Sequence, residues 1–135
     1  MNTRKVLNKI KIKFAQTGNP AKIPLLKGST FRATLTDDGI NVDNLGTQPF
    51  LPWTVFQETV CLLIRLCGQA RNGNAMKSKL GDTDLPLDSM EGHIANVVYG
   101  KKPGDWVFRR IVPISCILIW ADVCKASPGR LILRK

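Results

Sequence analysis

The chain has 135 residues, of which 44% are hydrophobic and 22% charged, with 20 Lys and Arg residues against 10 Asp and Glu residues. This composition is typical of a folded domain with a sizeable core and excludes wholesale disorder. No apolar run reaches the roughly 18 residues that span a bilayer, and no apolar segment follows the basic N-terminus as it would in a secretory signal. We therefore expect one cytoplasmic globular domain over residues 1–135, without a membrane partner.

The basic residues are concentrated at the N-terminus. The first acidic residue is Asp37, and the basic residues before it are Arg4, Lys5, Lys9, Lys11, Lys13, Lys22, Lys27 and Arg32. A formal net charge of +10 attracts polyanions and accelerates association with them. The charge distribution therefore predicts a nucleic-acid partner.

Lysines alternate with apolar residues over the segment 9–14. Because successive side chains of a β-strand point to opposite faces, this pattern predicts a strand with Lys9, Lys11 and Lys13 on one face. Such a row of lysines suits contact with nucleic-acid phosphates. The alternative is an edge strand whose lysines only prevent aggregation.

A β-hairpin is predicted after a loop over residues 16–28. Two alternating segments, 31–36 and 40–42, flank the sequence Asp37-Asp38-Gly39. This triplet is a turn signal, because Gly39 is available for a positive φ. The sequence therefore predicts β structure for the N-terminal third of the chain.

In most of the remaining chain, apolar residues recur at the three- to four-residue spacing of a helix. A core helix is predicted from Pro52 to Cys67, with Gly68 placed to end it. The further predicted elements are a short helix over 74–81, a capped helix from 88 to 100, a buried helix from 113 to 124 with a strand as its alternative, and a closing strand over 131–133. The predicted fold class is α+β: an N-terminal β-hairpin plus an extra strand, packed on a helical half that has the plan of a helix-turn-helix variant.

The helix after residue 88 is the candidate recognition helix. Asp88 and Glu91 have the spacing of a capping box, with Ser89 as the competing N-cap. Its apolar stripe consists of Met90, Ile94, Val97 and Val98. The opposite side, expected to face a DNA groove, consists of Ser89, Gly92, His93 and Asn96. Asn pairs with adenine through two hydrogen bonds, and Lys101 and Lys102 follow where phosphate contacts would fix the register. A solvated surface helix is the alternative.

Arg109 and Arg110 are further candidate phosphate contacts, because they stand beside Trp106 and Phe108. Arginines interleaved with aromatic residues are common on nucleic-acid surfaces. In the simpler interpretation, which we favour for the aromatic residues, Trp106 and Phe108 belong to the core while the arginines extend to solvent.

A group of acidic residues suggests an enzymatic alternative. Asp82, Asp84, Asp88, Glu91 and His93 lie within twelve residues of each other, and such side chains can hold Mg²⁺ for phosphodiester hydrolysis. Aspartates are, however, common in turns and helix caps for structural reasons. No catalytic motif is complete, so we assign no catalytic residue.

The cysteines indicate a reducing environment. Cys61, Cys67, Cys116 and Cys124 each lie among apolar residues, no pair has the C-x-x-C spacing, and the chain has one histidine. We therefore expect reduced core thiols, with neither metal nor cofactor.

The sequence as a whole predicts non-catalytic binding of nucleic acid, with duplex DNA as the expected ligand, by a small regulator or the targeting partner of a DNA enzyme. The first alternative is a protein-interaction subunit with a basic surface, which would allow oligomerisation. The second alternative is a small metal-dependent nuclease.

Overall fold

The structure is a computed structural model that describes residues 3–134. Four helices and seven strands follow one another in this part of the chain: α1 Thr3–Thr17, β1 Ala21–Pro24, β2 Thr30–Leu35, β3 Gly39–Val42, β4 Phe50–Pro52, α2 Trp53–Arg65, β5 Gln69–Arg71, α3 Met90–Val97, α4 Ile111–Trp120, β6 Cys124–Ser127 and β7 Arg130–Leu133. The fold class is α+β, as predicted. None of the described helices is long and apolar enough to cross a membrane.

The first sheet is antiparallel, with the strand order β1-β2-β3-β4. The pairing of β2 with β3 confirms the predicted hairpin, but the expected positive φ at Gly39 is wrong. Gly39 is the first residue of β3, where an added Cβ would lie 2.1 Å from the carbonyl oxygen of Leu51. The predicted loop over 16–28 is wrong in part, because β1 pairs there with β2. Asn19 fixes this segment, since its side chain both donates to the carbonyl oxygen of Leu35 at 3.2 Å and accepts the Leu35 N–H at 2.8 Å.

The segment of alternating lysines is helical, so the predicted extra strand is wrong. Val6, Ile10 and Phe14 of α1 are buried, at the four-residue spacing that lines one side of a helix. Ile12, which a strand would have placed beside Ile10 on its apolar face, is 54% exposed. Helix α1 packs against α2 and α4 through its buried side.

Helix α2 is the central core helix, as predicted. Pro52 is its N-cap rather than its first residue, and Val55, Phe56, Val60, Leu62 and Leu63 are buried in it. The chain leaves the helix through Cys67 and Gly68, both with positive φ, and the N–H of Gly68 donates to the carbonyl oxygen of Leu63 at 2.7 Å. The helix therefore ends in a Schellman motif in which Cys67 takes the left-handed position and the Gly68 N–H closes the turn.

The helix-turn-helix plan is wrong. The segment 74–81 consists of turns, and β5 stands between α2 and this segment. The buried helix α4 begins at Ile111 rather than Pro113, and it ends at Trp120, before Cys124 enters β6. The closing strand is confirmed as β7, which lies between β5 and β6 in a second antiparallel sheet.

The cysteines divide into two pairs. Cys116 and Cys124 are buried free thiols, as predicted. Cys61 and Cys67 are free but exposed, so their assignment to the core is wrong. Burial raises the pKa of the Cys124 thiol to about 12.

Candidate nucleic-acid interface

Helix α1 distributes its lysines around the helix instead of aligning them. Lys9 and Lys13 are four residues apart, whereas Lys11 is rotated from each by about 200°. Lys9 donates to the carbonyl oxygen of Asp122 at 3.4 Å, Lys11 Nζ lies 5.3 Å from the ring centroid of Trp53, and Lys13 Nζ lies 5.9 Å from that of Trp120. The three lysines therefore flank both sides of α1, and the prediction that they share one face is wrong.

The outer side of α1 is polar and basic apart from Ile12, which is exposed. Arg4, Asn8, Lys9 and Lys11 are exposed, on the side of the helix away from Val6, Ile10 and Phe14. The fifteen residues of α1 include five basic residues and no acidic residue. An exposed helix of this composition can approach phosphates closely without charge repulsion, and its amide at Asn8 can donate to and accept from a base edge.

The solvent face of the first sheet carries an unusual pair of like charges. Lys22 of β1 stands directly opposite Arg32 of β2, and both side chains are exposed. Within residues 3–134, neither side chain forms an ion pair with a carboxylate; the nearby Asp43 accepts the backbone N–H of Arg32 at 2.9 Å. Like charges directly opposite on a sheet destabilise it, and a bound polyanion would relieve this repulsion.

The second sheet repeats this arrangement. Arg71 of β5 stands directly opposite Arg130 of β7, and both are exposed. Sequence reasoning missed both cross-strand pairs. The signal was absent from the linear sequence, because the pairing of the strands brings residues together that are far apart along the chain.

Helix α3 turns its predicted groove face toward the protein. Ser89 is 1% exposed, and its Oγ caps the helix by accepting the Gly92 N–H at 3.1 Å. Gly92 is buried against Pro86, whose carbonyl oxygen would lie 2.1 Å from an added Cβ. His93 Nε2 lies 3.0 Å from Glu58 Oε1 on α2. The expected outward orientation of Ser89, Gly92 and His93 is therefore wrong, and so is the inclusion of Val97 in the buried stripe, because Val97 is exposed.

Asn96 and the two following lysines remain on the surface. Asn96 Nδ2 donates to the carbonyl oxygen of Lys101 at 2.8 Å, which fastens the end of α3 to the next turn. The Lys102 N–H is bound by Asp105 Oδ2 at 2.8 Å. Both lysine side chains are exposed, but Asp105 beside Lys102 lowers the local positive charge.

Arg110 is a buried structural residue rather than an exposed phosphate contact. Its guanidinium carbon lies 3.7 Å from the ring centroid of Tyr99 and 4.9 Å from that of Phe108, and its Nη2 donates to Gln48 Oε1. Its stacking on two rings combines cation–π attraction with burial of the guanidinium. This packing leaves Arg110 7% exposed.

Arg109 lies on the surface, as predicted. Its Nη1 lies 3.1 Å from Met76 Sδ. Trp106 is 60% exposed, contrary to the core position favoured from the sequence, and Lys79 Nζ lies 5.5 Å from its ring centroid. Phe108 is partly buried against the main core, so the simpler interpretation is right for one of the two aromatic residues.

Two acidic residues of the enzymatic alternative have separate structural partners. Glu91 accepts the backbone N–H groups of Arg110 and Ile111, and Asp82 Oδ2 accepts the Lys79 N–H at 2.8 Å. Within residues 3–134, no group of three or more His, Cys, Asp or Glu side chains could hold a metal ion.

The chain was compared with protein-family models, with curated proteins and with solved structures, and none of the three comparisons found a match.

Proposed function

We propose that this protein binds duplex DNA without catalysing a reaction on it, and that α1 makes the principal contact. The observation that carries the proposal is the composition of α1: five basic residues, no acidic residue and an exposed outer side. Elsewhere on the surface, Lys22 and Arg32 form a like-charge pair whose mutual repulsion a phosphate backbone would offset.

This assignment moves the proposed interface from α3 to α1. A helix fits the major groove of B-DNA, where base edges carry the sequence-specific pattern of donors and acceptors. Helix α3 has only eight residues and buries much of the side that was expected to face DNA. Helix α1 has fifteen residues and is anchored on one side only, which leaves the opposite side available for a groove.

The first test is a titration of a duplex DNA, a single-stranded DNA and a duplex RNA at several salt concentrations. If six to eight phosphates are neutralised, the log–log slope of affinity against salt for duplex DNA should be about −5 to −7. We expect tighter binding of duplex DNA than of the other two ligands. Equal binding of all three, or an affinity that does not change with salt, would overturn the proposal.

The second test locates the interface with two variants of equal charge. The first combines Arg4→Gln, Lys9→Gln and Lys11→Gln on α1, and the control combines Lys77→Gln, Lys101→Gln and Lys102→Gln in the region that also contains aspartates. The α1 variant should reduce the magnitude of the salt slope by about three, and the control by less than about one. Both should retain the wild-type melting temperature within a few degrees. A larger loss in the control would instead place the contact beside α3.

The exposure of Trp106 and Met76, at 60% and 69%, favours the protein-interaction alternative. Large exposed apolar side chains are frequent in protein interfaces. Sedimentation velocity over a hundredfold range of protein concentration, without nucleic acid, tests self-association. Concentration-dependent oligomers that dissociate on Trp106→Ser would support this second function, and a monomer throughout would exclude self-association as its basis.

A further inference from the structure

A cleft of about 880 Å³ lies outside the proposed α1 interface. Its walls are the loop after β1, the segment that follows β5 and the first two turns of α4. The volume falls within the roughly 300–1,000 Å³ of small-molecule sites. The cleft is therefore large enough to hold a ligand of the size of a mononucleotide.

Three cationic side chains line the cleft, one from the loop after β1, one from the end of β5 and one from just before α4. They are Lys27, Arg71 and Arg109, and the only carboxylate among the described lining residues is Asp84. Arg71 Nη2 donates to the Thr83 carbonyl oxygen at 3.3 Å, and Arg109 Nη1 is held at Met76 Sδ. Each guanidinium retains further N–H donors. Arginines that line one cleft and retain free donors suit a phosphate, which a guanidinium can bind in a bidentate manner.

The remaining walls combine apolar surface with a free amide. Leu26 and Met76 are 61% and 69% exposed, and Val112 of α4 also lines the cleft. The backbone of Asn72 is fixed from both directions: its N–H donates to Gly129 at 2.9 Å, and its carbonyl oxygen accepts the Glu91 N–H at 3.0 Å. Within the described part of the chain, the Asn72 side-chain amide has no hydrogen-bond partner, so both its donor and its acceptor are available.

These features select one kind of ligand. Apolar side chains contact the flat face of a base, an amide binds its donor–acceptor edge, and arginines bind the phosphate. A fatty acid would need one cation and a long apolar channel, whereas this cleft has three cations and a polar amide. We propose that the cleft binds one nucleoside monophosphate unit, as a free nucleotide or as an unpaired nucleotide of a strand. This inference does not depend on DNA binding by α1, because the residues are different.

Calorimetric titration with AMP, CMP, GMP and UMP tests the proposal. We expect at least one nucleotide to bind at least about tenfold more tightly than its nucleoside, because hydrogen bonds to charged groups contribute about that much. It should also bind at least about tenfold more tightly than inorganic phosphate, because only the nucleotide has a base that buries apolar surface in the cleft. Dodecanoate serves as the apolar anion. Equal affinity for inorganic phosphate, tighter binding of dodecanoate, or no nucleotide binding at millimolar concentration would overturn the proposal.

Two further arms distinguish the source of the nucleotide. A blunt duplex and the same duplex with a single unpaired 5′-phosphorylated nucleotide are titrated in parallel. Tighter binding of the second duplex than of the blunt one, lost on adding the free nucleotide, assigns the cleft to a strand end. Equal binding of the two duplexes, with retained binding of the mononucleotide, assigns it to the free ligand.

Matched variants locate the binding. Arg71→Gln and Arg109→Gln should each weaken nucleotide binding by about tenfold or more, whereas Arg65→Gln, at an exposed position of α2 outside the cleft, should leave it unchanged. Arg109→Lys should restore part of the affinity because it retains the charge. All four are surface changes, and thermal melts check that each variant is folded. An equal loss in Arg65→Gln, or unchanged binding in both cleft variants, would overturn the assignment.

Discussion

The carboxylate of Glu91 accepts the backbone N–H of Arg110 at 2.8 Å through Oε1, and its Oε2 accepts the N–H of Ile111 at 2.9 Å. Glu91 is 1% exposed and lies on α3, while the two N–H groups open α4. One buried side chain thus supplies the cap that α4 lacks in its own sequence, since Arg110, its N-cap residue, provides no side-chain hydrogen bond. The arrangement couples α3 to α4 and places a negative charge at the positive end of a helix.

Removal of this carboxylate should strongly destabilise the fold. Glu91→Ala leaves the two buried N–H groups that open α4 without an acceptor, which together should cost about 3 kcal/mol or more in the free energy of unfolding. Asp88→Ala is the control, because Asp88 is exposed and Ser89 provides the cap of α3; its effect should stay within about 0.5 kcal/mol. Urea denaturation measures both. A similar small loss in the two variants would contradict a structural role for Glu91.

Glu91 should also make stability depend on pH. Burial raises the pKa of Glu91, and the two backbone hydrogen bonds and Arg110 oppose this effect only in part. The folded protein thus holds the Glu91 proton more tightly than the unfolded chain does, and this difference contributes to the unfolding free energy. The contribution is fully present below the unfolded pKa of about 4.3. It is lost as pH rises through the folded pKa. The unfolding free energy of wild type relative to Glu91→Gln should therefore fall as pH rises above about 4.3. Denaturation of both proteins between pH 4 and pH 8 measures this difference, and an increase would contradict the prediction.

Some elements could be predicted because their signals are local. The hairpin at residues 37–39 depends on turn chemistry within a few residues, and α2 shows an apolar stripe that ends at a glycine. Helix α1 was mistaken for a strand because Ile10 and Phe14 satisfy both a two-residue and a four-residue spacing. Only Ile12 separates the two interpretations, and its exposure depends on packing against α2 and α4, which the sequence does not display.

The cross-strand pairs of basic residues and the Glu91 hydrogen bonds were less predictable than the helices because they join distant segments. Arg71 and Arg130 meet only after β5 and β7 pair, and Glu91 acts on an N–H group 19 residues further along the chain. The prediction of which α3 residues are exposed was wrong for a physical reason. The helical period identifies one buried side, which is correct only for a helix that packs on a single neighbour. Helix α3 instead contacts α2 through His93 and the Pro86 turn through Gly92, so it is covered on more than one side.

The four thiols should react in two classes. Cys61 and Cys67 are exposed, whereas Cys116 and Cys124 are buried. Because the thiolate is the reactive form, a pKa of about 12 at Cys124 leaves on the order of one thiolate in ten thousand at pH 8. A chromogenic disulfide reagent should therefore titrate two thiols per native chain rapidly and all four in denaturant. Cys61→Ser and Cys67→Ser should each remove one fast thiol, and rapid reaction of three or more in the native protein would contradict the burial.

Substitution of Gly92 by Ala should destabilise the protein, although the same change in an ordinary helix interior stabilises it by roughly 0.5–1 kcal/mol. An added Cβ at Gly92 would lie 2.1 Å from the carbonyl oxygen of Pro86 and 2.9 Å from Ser89 Oγ. The first contact involves backbone, so the turn before α3 must shift, and the second disturbs the hydroxyl that caps the helix. We expect a loss of about 1–3 kcal/mol in the free energy of unfolding, typical of overpacking in a filled interior.

Val97→Ala on the same helix is the control, because Val97 is exposed and its loss should stay within about 0.5 kcal/mol. Both are measured by urea denaturation. A stabilised Gly92→Ala protein would show that Pro86 does not approach α3 this closely, and the buried position of this helix face would then be wrong.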